Sequence, residues 1–188
     1  MTQNLKYITL AILGLGMSIA QAQTIVPTLI TRTAITADAD STACSKFVGE
    51  FYAWYLAHGK NADPLRAALK SKKANFSSEL VKALNEDYKA AAKSPGEIVG
   101  LDFDPVLNSQ DPWEKYVPGK VTKRGNHYLV EVFGVVKGKK SAQADVIPEL
   151  QKVGSKWVFT NFIYKHDGKT DDLLTILKQL RAERNKGG

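Results

Sequence analysis

The chain is poor in the residues that usually announce chemistry. It has one cysteine, Cys44, and three histidines among 188 residues. A lone cysteine excludes an internal disulfide, so the fold must stand on its hydrophobic core. His58, His127 and His166 are far apart in sequence and lack the H-x-x-x-H type of spacing that metal sites use. No nucleophile motif occurs, and the residues imply neither a cofactor nor a metal. Long apolar runs are scarce too. After residue 22 nothing approaches the roughly 20 apolar residues that a membrane-spanning helix needs.

What is present first is an address. Lys6 is the only charge before Arg32, and an apolar run from Tyr7 to Ile19 ends on Ala20-Gln21-Ala22. A charged start, a short apolar stretch and an A-x-A ending form a secretory signal peptide. Residues 1–22 are therefore expected to be removed after Ala22. The mature chain, from Gln23, is expected to be periplasmic without a stable membrane anchor. Cys44 lies too far from the cleavage site to carry a lipid.

The formal net charge is +7, and losing Lys6 leaves +6 on the remaining 166 residues. An exported basic chain does not meet nucleic acid, so its acidic partners would be envelope components or an acidic protein. That length suits one domain, burying roughly 70% of its unfolded surface.

Along the chain, residues 23–41 show no sustained period and read as a flexible lead-in. From residue 42 the pattern is helical: Cys44, Phe47, Val48, Phe51 and Tyr55 repeat at helix spacing, and Gly59 ends it. Asp63-Pro64 places a cap before a proline at the first helical position, opening a short helix. Ser77 or Ser78 opens a third helix carrying Leu80, Val81, Leu84 and Tyr88, which Ser94-Pro95-Gly96 stops. After residue 116 the period becomes that of strands: Lys120–Lys123, His127–Val136, Ala142–Val153 and Lys156–Lys165, with turns between. Asp171 or Asp172 caps a last helix, and 183–188 form a frayed tail. Helices first, then a meander of about four antiparallel strands, then a helix predicts an α+β domain over residues 42–182.

In WVFTNFIYK, strict alternation directs Trp157, Phe159 and Ile163 to one face and Val158, Phe162 and Tyr164 to the other. HYLVEVFGVV is also apolar on both faces. A sheet apolar on both faces should be covered on both. One cover is the helices; the second would be a partner, a ligand, the N-terminal segment or another copy in a homodimer.

The helix KFVGEFYAWYLAH, the D-x-D-P of residues 102–105 followed by Gln110-Asp111, and the strand KWVFTNF together resemble the exported bacterial domain-of-unknown-function 3828 family. The resemblance covers about residues 44–165. It implies a nuclear transport factor 2-like, cystatin-like fold, a cone of helices on a curved antiparallel sheet. The family has no established reaction. This chain carries Val106 where the family pattern has an aromatic residue.

The stretch LDFDPVLNSQDPW, residues 101–113, concentrates the polar chemistry. Read as an EF-hand from Asp102, it fails at Val106, Leu107 and Trp113, where an oxygen ligand, Gly and Glu belong. Asp102 and Asp104 share a face if the segment is extended, which makes them weak candidates for an acid–base pair. The plainer reading is a joint, with aspartates capping backbone amides and Leu101, Phe103 and Trp113 plugged into the core. Candidate pocket residues are Tyr52, Trp54, Trp113, Trp157 and Tyr164, aromatic groups able to wall an apolar cleft. Lys137, Lys139 and Lys140 form a basic tip, expected to join Lys123 and Arg124 as a partner surface. Cys44, on the apolar helix face, reads as a buried inert thiol.

The expectation is an exported noncatalytic module that binds a protein or small ligand. The alternatives are an immunity protein blocking a toxin, and a small pocket enzyme using Asp102 or Asp104.

Overall fold

A computed structural model of the chain describes the backbone of residues 28–58, 63–94 and 99–186, with side chains from residue 39 onward. The expected signal peptide, its expected cleavage site and the helix stop expected at Gly59 lie outside the described residues. Helix α1 (Thr28–His58) opens the fold. Helix α2 (Pro64–Ser71) follows, then one 3-10 turn (Lys73–Asn75) and helix α3 (Ser78–Ala91). Six strands come next: β1 (Lys115–Arg124), β2 (His127–Val136), β3 (Lys139–Lys140), β4 (Ile147–Val153), β5 (Lys156–His166) and β6 (Lys169–Asp172). Helix α4 (Leu173–Arg184) is the last element, so Glu183 and Arg184, expected in the frayed tail, are helical. The sheet is antiparallel in the order β1-β2-β4-β5-β6, with β3 pairing against β2. The α+β class holds with six strands where about four were expected.

Local chemistry explains most boundaries. The Asp63 carboxylate caps α2 by accepting from the Arg66 N–H, and Pro64 supplies a helix-ready φ. The Ser77 hydroxyl accepts from Leu80 N–H, and Asp172 accepts from Thr175 N–H. Gly125, Gly138, Gly154 and Gly168 take positive φ in the hairpin turns of the meander. The last of these turns carries the chain back as β6 instead of ending the sheet.

Besides β4, which begins at Ile147 and not Ala142, and α4, which runs on to Arg184, three features depart from the periodic reading. Helix α1 begins at Thr28, so residues 28–41 are helical and not a lead-in. Nothing between Thr28 and Val48 is proline or glycine, so no local signal breaks the helix there. Asp40 ties this stretch to the sheet, accepting from Lys152 Nζ and the Tyr128 hydroxyl. The Lys152 ammonium holds the Asp40 carboxyl below its ordinary range. Strand β1 begins at Lys115, ahead of Pro118; the register shift between Pro118 and Val121 accommodates the proline.

The third departure is in β5. Glu149 pairs with Asn161 and Leu150 with Phe159, so Thr160 is the extra residue of a β-bulge. The bulge restarts the alternation. Trp157, Phe159, Phe162 and Tyr164 all bury against the helices, and Ile163 joins Val158 on the outer face. Strict alternation assigned Phe162, Tyr164 and Ile163 to the wrong faces. The outer face is half-buried and mixed, with Leu129, Phe133, Val158 and Ile163 among His127, Glu131, Glu149 and Gln151.

The core lies between α1 and the inner sheet face. Cys44, Val48, Phe51, Tyr52 and Tyr55 form the buried stripe of α1. Phe51 packs on Phe159 at 4.7 Å between ring centroids, and Phe159 stacks on Phe162 at 5.4 Å. Such rings contribute about 2–3 kcal/mol each by burial.

Candidate functional site

The connection from α3 to β1 builds the site around Asp104. Its Oδ1 accepts the backbone N–H groups of Val106 (2.8 Å) and Leu107 (3.2 Å). Aspartate favours such turns because its short side chain reaches amides two and three residues on. Main-chain bonds between Asp104 and Ser109 close the loop, and Asn108 turns it with φ 52°. The Tyr55 hydroxyl donates to Oδ2 at 2.8 Å. Two more tyrosines grip the next residues: Tyr164 donates to Pro105 O (2.9 Å) and Tyr52 to Val106 O (2.7 Å). Residues 104–106 are thus wedged under three phenols from α1 and β5, with Val106 fully buried.

The outer half of the loop is held more lightly. Gln110 Nε2 donates to Asp102 O, and Asp102 itself is exposed. The Trp113 indole lies across Gly134, and its Nε1 donates to Asp145 Oδ1 at 2.9 Å. Asp145 Oδ2 also accepts from Gly134 N–H (2.7 Å) and the Ser141 hydroxyl. A Cβ on Gly134 would fall 2.0 Å from Trp113 Cδ1, so only glycine lets the indole lie there.

Between this loop, α2, α3 and the end of α1 opens a cleft of about 1050 Å³. Asp63, having capped α2, receives the Tyr88 hydroxyl at 2.9 Å, and the Arg66 guanidinium sits 4.5 Å from the Tyr88 ring centroid. On the α3 wall Asp87 is buried. It accepts from Arg184 Nη1 (2.7 Å) and Leu101 N–H (3.1 Å). Gly100 passes so close to Asp87 that a Cβ there would lie 2.6 Å from Oδ2. Among the described residues the charged lining side chains are Asp63, Asp87, Asp102, Asp104 and Glu114, all acidic. Burial pushes the Asp104 carboxyl up from the ordinary range, although the Tyr55 hydroxyl and the two amides pull the other way. Tyr55 is driven well above the ordinary phenol value by burial and then by the Asp104 charge. Tyr88 is raised by burial and by Asp63.

The structure sorts the residues that the sequence nominated. Asp102, Asp104 and Trp113 line the cleft. Trp113 is 40% exposed, so it forms a rim rather than the core plug expected of it. Tyr52, Tyr164 and Trp157 are core. The first two hold the loop from beneath, and Trp157 packs edge-on against Tyr128 at 4.8 Å. Trp54 sits elsewhere, stacked on His58 with Lys72 on its face. The basic residues are not one patch. Arg124 and Lys123 pair with the start of β2, whereas Lys137, Lys139 and Lys140 sit at its far end. A ten-residue strand separates them by about 30 Å at its usual rise. Cys44 is fully buried, and burial pushes its thiol up to about 12, which removes it as a nucleophile.

The sequence reading missed Tyr55, Tyr88, Asp63 and Asp87 as cleft residues. A signal existed for the tyrosines: each sits in an apolar helix stripe, and a buried phenol needs an acceptor. Asp63 and Asp87 gave none, since capping accounts for one and helix exposure was the default for the other.

Among the described residues no three His, Cys, Asp or Glu side chains are grouped to hold a metal ion, and no helix is long and apolar enough to cross a membrane. No protein-family model and no curated protein matches the chain. The fold is similar to the crystal structure of a protein of unknown function from Bacteroides thetaiotaomicron VPI-5482. The TM-score is 0.50 at 18% identity, over 71% of this chain and 98% of that one, a likeness of fold alone.

Proposed function

We propose that this is an exported, noncatalytic binding module that takes a small ligand in the cleft between the 99–114 loop and helices α1 to α3. One observation carries the reading: the cleft is large, mostly apolar and aromatic, and carries a few fixed polar groups. That is the usual make-up of a small-molecule site. The acid–base alternative draws support from the raised pKa of Asp104 and its contact with Tyr55. Against it, both Asp104 oxygens are already engaged in holding the loop, and neither histidine nor cysteine lines the cleft among the described residues. A protein partner or homodimer at the outer sheet face is a weaker reading, because polar side chains interrupt the apolar ones there. The order of helices, sheet and final helix also supports membership in the exported domain-of-unknown-function 3828 family, with its nuclear transport factor 2-like fold.

The test is native mass spectrometry of the chain from Gln23, isolated from envelope extract. A retained small-molecule mass is expected, and Ala91→Trp, which fills the cleft wall, should abolish it. An adduct that survives Ala91→Trp, or a protein captured with no small adduct, would move the binding site elsewhere.

A further inference from the structure

We infer that the cleft takes a small organic cation, a protonated amine or quaternary ammonium carried on an apolar body. This rests on the reading of the cleft as a binding site and adds the chemical class. The chain has 26 Lys and Arg against 19 Asp and Glu, yet among the described residues every charged side chain lining the cleft is acidic. Two of these acids are already matched by cations. Asp87 has Arg184 at 2.7 Å, and Asp63 has Arg66 at 3.6 Å. Among the described residues Asp104 has no cation. Its hydrogen-bond donors are one phenol and two backbone amides, all neutral. A half-buried carboxylate served only by neutral donors is incompletely compensated, and a bound cation would complete it.

The aromatic lining favours the same guest. Tyr55, Tyr88, Phe103 and Trp113 border the cleft. Rings attract cations through their negative faces, and Arg66 already seats its guanidinium 4.5 Å over the Tyr88 ring. Leu56, Leu65, Leu84 and Leu101 give an apolar body something to pack on. Among the described lining residues an anionic ligand would meet carboxylates and no basic side chain.

The experiment titrates the chain from Gln23 with three probes of one shape and different charge: phenylbutylamine, phenylbutanol and phenylbutyrate. Binding is read from the indole N–H resonance of Trp113, assigned with Trp113→Phe. The amine should bind about tenfold tighter than the alcohol, with the carboxylate weakest. Asp104→Asn should bring the amine to the level of the alcohol measured on the same variant. If Asp104→Asn fails to fold, exposed Asp102→Asn should still lower the amine-to-alcohol ratio by about threefold. Alcohol or carboxylate binding as tightly as the amine overturns the cation and leaves the cleft as a ligand site. No Trp113 response to any probe overturns both.

Discussion

Two aspartates, the buried Asp87 and the half-buried Asp104, border one cleft and are solved differently. On the α3 wall Asp87 faces the Arg184 guanidinium, which also donates to Val99 O, so charge meets charge across the α3–α4 contact. On the loop wall Asp104 meets a tyrosine and two amides. The first arrangement joins elements distant in sequence. The second is mostly local, a turn that folds around its own carboxylate, with only Tyr55 reaching it from afar. A wall closed by an ion pair has little left to offer a ligand. A wall closed by neutral donors keeps a charge unmatched.

Breaking each wall should show the difference. Arg184→Ala should cost the most, about 3 kcal/mol in denaturant unfolding, because it leaves a buried carboxylate without its cation. Asp104→Ala should cost about 2 kcal/mol, the penalty for stranding two loop amides and the Tyr55 hydroxyl. A larger loss for Asp104→Ala than for Arg184→Ala would reverse the comparison. Tyr164→Phe should cost about 1 kcal/mol by removing the donor to Pro105 O.

The smallest effect is one of sign. Asp104 has a folded pKa above its unfolded value, so in its ionised form it opposes folding. That penalty is complete above the raised pKa and fades as pH falls through it toward the ordinary carboxylate range. Asp172 runs the other way. Against desolvation, bonds from Asn161 and Thr175 hold its pKa below the ordinary value, so its stabilisation is lost as pH falls through that lowered pKa. On acidification from neutral pH, the stability gap between wild type and Asp104→Asn should therefore shift in favour of wild type. Chemical unfolding of the two proteins at matched pH values checks it. A gap constant with pH would mean that Asp104 is not raised.

Much of the fold was legible locally. Asp63-Pro64, Ser77 and Asp172 mark helix starts because capping needs only residues three apart. Strand β2 runs from His127 to Val136, as its apolar run and flanking turns predict. The site was legible in part. Asp102 and Asp104 were singled out by their spacing, yet their roles split: Asp104 is bound into the loop, and Asp102 stands exposed. Trp113 was nominated both for the core and for a pocket. Its indole could be placed only once Gly134 and Asp145, from a distant hairpin, were known to lie beneath it.

By itself the sequence determined the α+β order, the caps and turns, the apolar stripe of α1 and the joint-like character of residues 101–113. Each follows from interactions within a few residues. Only the tertiary structure decided the Thr160 bulge and hence which aromatic side chains are core. It alone decided that Asp87 pairs with Arg184 while Asp104 meets no cation among the described residues, and that five acids gather around one cleft. Those outcomes depend on contacts between residues far apart in the chain, where periodicity and local propensity carry no information.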